Sequence, residues 1–215
     1  PARYRKLMVE ILFSDSAAGS LKEAKTAGQY ARANLDGIAW VQSLGVDCDL
    51  TECTSYLYTT LFPARLEAEL EAGRKLGLDL FLTRDTELPF PAAALGLRRQ
   101  AVFHPLKLIS ALAGGLTIYE QTPVQAVEGT SCITESGSVT ADWVIFTCHF
   151  PFVNFPGYYF ARQHQERSYV LALEGAPPLK NTYLGVAGDG LSFRSWNRYL
   201  LLGGGGHRTG ENTQG

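Results

Sequence analysis

The residues that could do chemistry are four histidines, four cysteines, a run of four glycines and several arginines near the C-terminal end. Cys148 and His149 stand side by side, a thiol next to an imidazole, which is the pairing a hydrolase would use as nucleophile and base. His104, His149, His164 and His207 show no H-x-x-x-H spacing, and Cys48, Cys53, Cys132 and Cys148 form no C-x-x-C pair, so no metal ligand is assigned. No G-x-S-x-G is present, and the serines fall in turns or ordinary strands, so a Ser/His/Asp triad is not indicated. Gly203–Gly206 follows a strand, where phosphate-cradling loops sit. Neither G-x-G-x-x-G nor G-x-x-x-x-G-K-[ST] can be written through it, so it reads as a flexible strand-end turn, with a loop pressed on a planar ligand as the alternative. Arg162, Arg167, Arg194 and Arg208 suit bidentate carboxylate recognition, although surface arginines are usually just solvated.

These residues need elements to hold them. Ser20-Leu-Lys-Glu23 is a capping box. Ala24, Ala27, Ala31, Leu35 and Ile38 then step by three and four to Gly45, which predicts a helix of about 24 residues. Pro63 opens a second helix with Leu66, Leu70 and Leu76 on one face, a Glu71–Lys75 pair outside and Gly77 at its end. A further apolar segment, Tyr4–Phe13, suits a helix. Cys48–Leu50, Ser55–Thr60 and Leu78–Leu82 read as strands, and Glu87-Leu-Pro-Phe-Pro91 must be a loop because each proline removes a donor. Pro105 suits the first turn of a short helix ended by Gly114-Gly115, and His104 before it is placed to cap.

Leu116–Glu120 and the continuous apolar run Trp143–Phe146, extended to Thr147, are expected as strands, the second buried on both faces. Between them a meander is expected over Val124–Val127, Ser131–Thr134 and Ser138–Val139, turning at Gly129 and Ser136-Gly137. Ser168–Leu173, Thr182–Gly185, Leu191–Phe193 and Tyr199–Leu202 are four more strands. Helices gather in the first half and strands in the second, which points to an α+β fold.

A chain of 215 residues buries roughly 70% of its unfolded surface, enough for one domain or two small ones. A net charge of −2 leaves no footprint for nucleic acid or an anionic membrane. No apolar run approaches the roughly 20 residues of a membrane span, and no signal-peptide pattern opens the chain. The cysteine usage suits reduced thiols and a cytoplasmic setting. The first residue is Pro1 and the only methionine, Met8, falls inside an apolar segment, so the sequence is expected to be a piece of a longer protein.

Phe103-His-Pro-Leu-Lys-Leu-Ile-Ser-Ala-Leu112, Gly115-Leu-Thr-Ile-Tyr-Glu-Gln-Thr-Pro-Val124 and Thr134-Glu-Ser-Gly-Ser-Val-Thr-Ala-Asp-Trp-Val-Ile-Phe-Thr-Cys148 together resemble the central part of FAD-dependent oxidoreductases of the D-amino-acid oxidase superfamily, the group of glycine and sarcosine oxidases. Gln165–Leu173 and Leu201–Glu211 resemble substrate-domain strands of a bacterial subgroup. The resemblance implies a mixed, largely antiparallel substrate-domain sheet with flanking helices, plus part of an FAD-binding domain. It assigns 1–102 and 150–203 to the substrate-binding domain and 103–149 with 204–215 to the partial FAD domain. The G-x-G-x-x-G unit that cradles the FAD pyrophosphate in relatives is missing here, and Cys148 and His149 replace small residues of the family pattern.

By position, the resemblance places Val124, Thr147, Cys148 and His149 at the cofactor and Arg167, Tyr169, His207 and Arg208 on the substrate side. The chemistry implied is hydride transfer from an amine or amino acid to FAD, which needs orientation more than an acid–base residue, so no catalytic base is assigned. The partners implied are a small-molecule substrate and the remainder of the parent chain, with the piece itself inactive. A non-catalytic small-molecule binding or interaction domain on the same scaffold is the alternative.

Overall fold

The computed structural model describes residues 21–150, 152–155, 157–186 and 190–210. The helix expected over Tyr4–Phe13 and Ser20 of the capping box lie outside the described residues. The chain divides into two compact units, Pro1–Leu112 with Ser168–Gly206, and Ala113–Arg167 with His207–Gly215.

The first described element of the first unit is α1 (Leu21–Ser43), which buries Ala27, Ala31, Ile38 and Val41 along one stripe and ends before Gly45 at φ 62°. Strand β1 (Thr51–Thr59) follows, then α2 (Pro63–Lys75), which starts on a proline that has no amide to leave unsatisfied. Leu66 of α2 is almost fully buried, worth roughly 1.5–3 kcal/mol. The expected Glu71–Lys75 pair forms at 2.8 Å on its exposed side. After Gly77 (φ 75°) come β2 (Leu80–Thr83) and β3 (Ala93–Val102), then α3 (Pro105–Ala113). His104 Nδ1 accepts from Lys107 N at 3.3 Å and so caps α3.

The second unit carries a ribbon of β4 (Ala126–Glu128), β5 (Ser131–Thr134) and β6 (Gly137–Thr140), antiparallel throughout, as the meander predicted. A four-residue helix, α4 (Tyr159–Arg162), was not legible in the sequence. β7 (Glu166–Glu174), β8 (Thr182–Gly185), β9 (Ser192–Trp196) and β10 (Tyr199–Arg208) are the remaining described elements. The large sheet has seven strands in the order β2-β3-β1-β8-β9-β10-β7. β1 and β8 run parallel, whereas β2/β3, β1/β3, β8/β9 and β9/β10 run antiparallel. The fold is therefore mixed α+β, with a mostly antiparallel sheet and flanking helices.

Four expectations fail. Leu116–Glu120 and Trp143–Thr147 are not strands, and Trp143 and Ile145 are 85% and 82% exposed rather than buried. Strand propensity is realised only when a neighbour completes the ladder, and no strand among the described residues borders either segment. Cys48–Leu50 is irregular, with Asp49 at φ 54°, and β1 starts one residue later. Gly203–Gly206 is not a turn but the middle of β10. A Cβ on Gly204 would meet Leu191 Cδ2 at 2.5 Å, so the missing side chain serves close packing within the sheet.

Candidate functional site

In the first unit the parallel pairing of β1 with β8 aligns Tyr56 with Tyr183 and Tyr58 with Gly185, and β8 aligns Tyr183 with Phe193 of β9. Period-2 alternation then puts Tyr56, Tyr58, Tyr183 and Phe193 on one face. Tyr56 and Tyr183 stack at 4.9 Å and 9°, and Phe81 meets Tyr56 edge-on at 5.9 Å. The proline-punctuated loop between β2 and β3 folds over this face. Phe90 comes within 5.8 Å of Tyr58 and 6.0 Å of Phe193, completing an aromatic cluster rather than lining an open cavity.

Glu87 pins that loop. Its carboxylate accepts from Lys180 N (2.7 Å), Asn181 N (3.1 Å), Asn181 Nδ2 (2.9 Å) and Tyr183 Oη (3.1 Å). Asn181 Oδ1 in turn accepts from Thr54 N of β1 at 2.9 Å. Desolvation works to raise the Glu87 carboxyl, but these hydrogen bonds outweigh it and hold the group below its ordinary value. Burial and the adjacent carboxylate push Tyr183 the other way, up. No sequence pattern signals this cluster, because its members lie more than ninety residues apart.

Cys53 is buried beside Ser55 and Thr182, whose hydroxyls bond at 2.9 Å. Burial raises the Cys53 thiol to about 11, against the opposing influence of the Ser55 hydrogen bond and the Arg194 charge. It is a packed thiol at neutral pH, not a nucleophile.

The expected cofactor-side residues all fall in the second unit. Val124 is half-buried on irregular backbone just before the ribbon, where Gln125 N donates to Ile133 O at 2.8 Å. Thr147, Cys148 and His149 are exposed, also on irregular backbone. Of the expected substrate-side residues, Arg167, His207 and Arg208 belong to the second unit, where Thr209 N donates to Gln165 O at 2.9 Å. Tyr169 belongs to the first unit, and its ring lies 3.2 Å from the place a Cβ on Gly205 would occupy. Gly205 has φ 64°, so glycine is required there twice over, by conformation and by the ring against it. Among the described residues, no group of three or more His, Cys, Asp or Glu is placed to hold a metal ion. No described helix is long and apolar enough to cross a membrane.

Comparison with known proteins places this geometry. The family model of FAD dependent oxidoreductases matches residues 13–215. A putative Rieske 2Fe-2S iron-sulfur protein, YhfW of Bacillus subtilis (strain 168), is 31% identical over 205 residues, covering 85% of this chain and 40% of that protein. The chain thus spans less than half the length of the curated relative. The crystal structure of L-proline dehydrogenase from P. horikoshii superposes with a TM-score of 0.61 at 12% identity, over 82% of this chain and 55% of the other.

The family is defined by FAD, which its full-length members bind. The residues described here do not form a dinucleotide cradle. A pyrophosphate needs glycine-rich backbone amides at a helix N-terminus. Among the described residues, α2 and α3 start instead on Pro63 and Pro105, and the glycine run is a strand. No chemical step through the flavin is therefore derived from these residues. On the extent of the family match, the chain belongs to the FAD-dependent oxidoreductases related to D-amino-acid oxidase.

Proposed function

We propose that this chain is the substrate-domain part, with a portion of the FAD domain, of an enzyme that oxidises an amine or amino acid. Residues 1–102 and 150–203 would form the substrate-binding domain, and 103–149 with 204–215 the partial FAD domain. The observation that carries the reading is the family match across residues 13–215, and the likeness to a proline dehydrogenase fold is in keeping with it. FAD, when bound, supplies the hydride acceptor. Arg167 and Arg208 would hold a substrate carboxylate through their planar forks, with Tyr169 and His207 shaping its surroundings. Val124 and Thr147–His149 would approach the nucleotide.

The apolar surface each unit leaves open supports a partner in the remainder of the parent chain. In the first unit Leu106 and Ile109 of α3 are 65% and 60% exposed, and in the second the bare Trp143 and Ile145 repeat the pattern. The name of the curated relative supports an iron–sulfur cluster as the electron acceptor of the full-length protein. A visible spectrum of that protein tests the whole reading. Flavin absorbance that bleaches anaerobically with an amine or amino acid is the expected result, and a folded, colourless protein would overturn it. The 215-residue chain alone is expected to be inactive and to hold FAD weakly, and stoichiometric FAD retention on gel filtration would contradict that.

A further inference from the structure

Helix α1 runs beside β3 without closing on it. β2 pairs only with Ala94–Leu97, and Arg98 N bonds to Asp79 O, so among the described residues no strand continues beyond that point on the β2 side of β3, while β1 stays paired on the other side. A cleft of about 470 Å³ opens between α1, the turn from α2 to β2, and this stretch of β3. Its floor is apolar, made by Ala31, Leu35, Leu78 and Leu97. Consecutive strand residues normally point to opposite faces, yet Arg98 and Arg99 both line this cleft. The cause is a β-bulge. Ser55 pairs with Leu97 but Cys53 pairs with Gln100, so Arg98 and Arg99 together oppose Thr54, and Arg99 takes φ 57°.

The charges at the mouth sort into two sets. Arg98 is spent on Asp79 at 2.8 Å and on the Phe81 ring at 4.1 Å, and Arg99 reaches Asp79 only at 4.0 Å. That leaves Arg32 and Arg99 as cations, with Asp36 and Glu52 as anions on the same cleft, and neither Arg32, Asp36 nor Glu52 makes a salt bridge to another described residue. Two positive and two negative groups over an apolar floor match a small zwitterion better than a net ion, because a net charge would gain one pair and be opposed by the other. We propose that this cleft binds a free α-amino acid with an apolar side chain, carboxylate to Arg32 and Arg99, ammonium to Asp36 and Glu52, side chain on the Ala31–Leu35–Leu97 floor. The site is separate from the oxidoreductase reading and does not depend on it.

Titration of the isotope-labelled chain with L-phenylalanine, followed by NMR, tests the proposal. Saturable shifts are expected at the amides of α1 and Leu97–Arg99, with a dissociation constant of about a millimolar or tighter. 3-Phenylpropionate lacks the ammonium and phenethylamine lacks the carboxylate, and each is expected to bind about tenfold more weakly. Arg99→Gly keeps the backbone, since glycine adopts a positive φ freely, and is expected to weaken L-phenylalanine by a similar factor. Asp36→Asn is expected to narrow the difference between L-phenylalanine and 3-phenylpropionate. Equal binding of the three probes, unchanged affinity in Arg99→Gly, or shifts that do not saturate would each overturn the site.

Discussion

Glu87 and Tyr183 exchange two hydrogen bonds: the backbone N–H of Glu87 donates to Tyr183 Oη at 3.1 Å, and that hydroxyl donates to Glu87 Oε2 at 3.1 Å. Tyr183 is only 2% exposed and also stacks on Tyr56, so one side chain joins the loop between β2 and β3 to the middle of the large sheet. Tyr183→Phe keeps the stack and removes both bonds. It is expected to cost about 1–3 kcal/mol, because two polar groups lose their partner away from water. Chemical denaturation beside the parent chain measures this, and an unchanged midpoint would show that the clasp is not stabilising.

The same carboxylate gives a pH dependence whose sign follows from its hydrogen bonds. Held below its ordinary value of 4.5, Glu87 contributes stability that is complete above that pH and is lost as pH falls through the lower, folded value. Glu87→Gln cannot lose a charge. The melting temperature of the parent chain should exceed that of Glu87→Gln at neutral pH, and the gap should close in acid. A gap that widens below the carboxylate range would contradict this.

Glycine has opposite consequences at two positions. A Cβ on Gly96 of β3 would lie 2.6 Å from two carbons of the Phe81 ring and 2.8 Å from Tyr56 Cε1, so Gly96→Ala must displace rings in the core. A loss of about 1–3 kcal/mol is expected. Gly37, inside α1, has nothing within 4 Å of the same atom. Gly37→Ala should instead stabilise by about 0.5–1 kcal/mol through helix propensity. Thermal melts of the two variants should move in opposite directions.

Thiol labelling under native conditions should separate the four cysteines. Cys148 is exposed and should react first, Cys132 is half-buried and slower, and Cys48 and Cys53 are buried. Burial also suppresses the Cys53 thiolate by raising its pKa to about 11. Peptide mapping after labelling reads the order directly, and early modification of Cys53 would show that β1 opens in the native state.

Local features were legible in the residues themselves. The stripe from Ala27 to Ile38, Pro63 at the start of α2, the glycines at 45 and 77, the His104 cap and the ribbon after Val124 depend on groups a few residues apart, and all took the expected form. The family was legible too, since its pattern runs through Phe103–Cys148 as a string of residues. Where a feature depended on distant neighbours, only the folded chain decided it. Trp143–Thr147 has the composition of a buried strand, but composition cannot supply the ladder partner, and without one the segment stays irregular and exposed. Gly203–Gly206 permits a turn or a strand equally, and Leu191 and Tyr169 packed against it select the strand. The Glu87 clasp and the turning of Arg98 and Arg99 toward one cleft arise from pairings between segments far apart in sequence, whose register is set by the sheet as a whole.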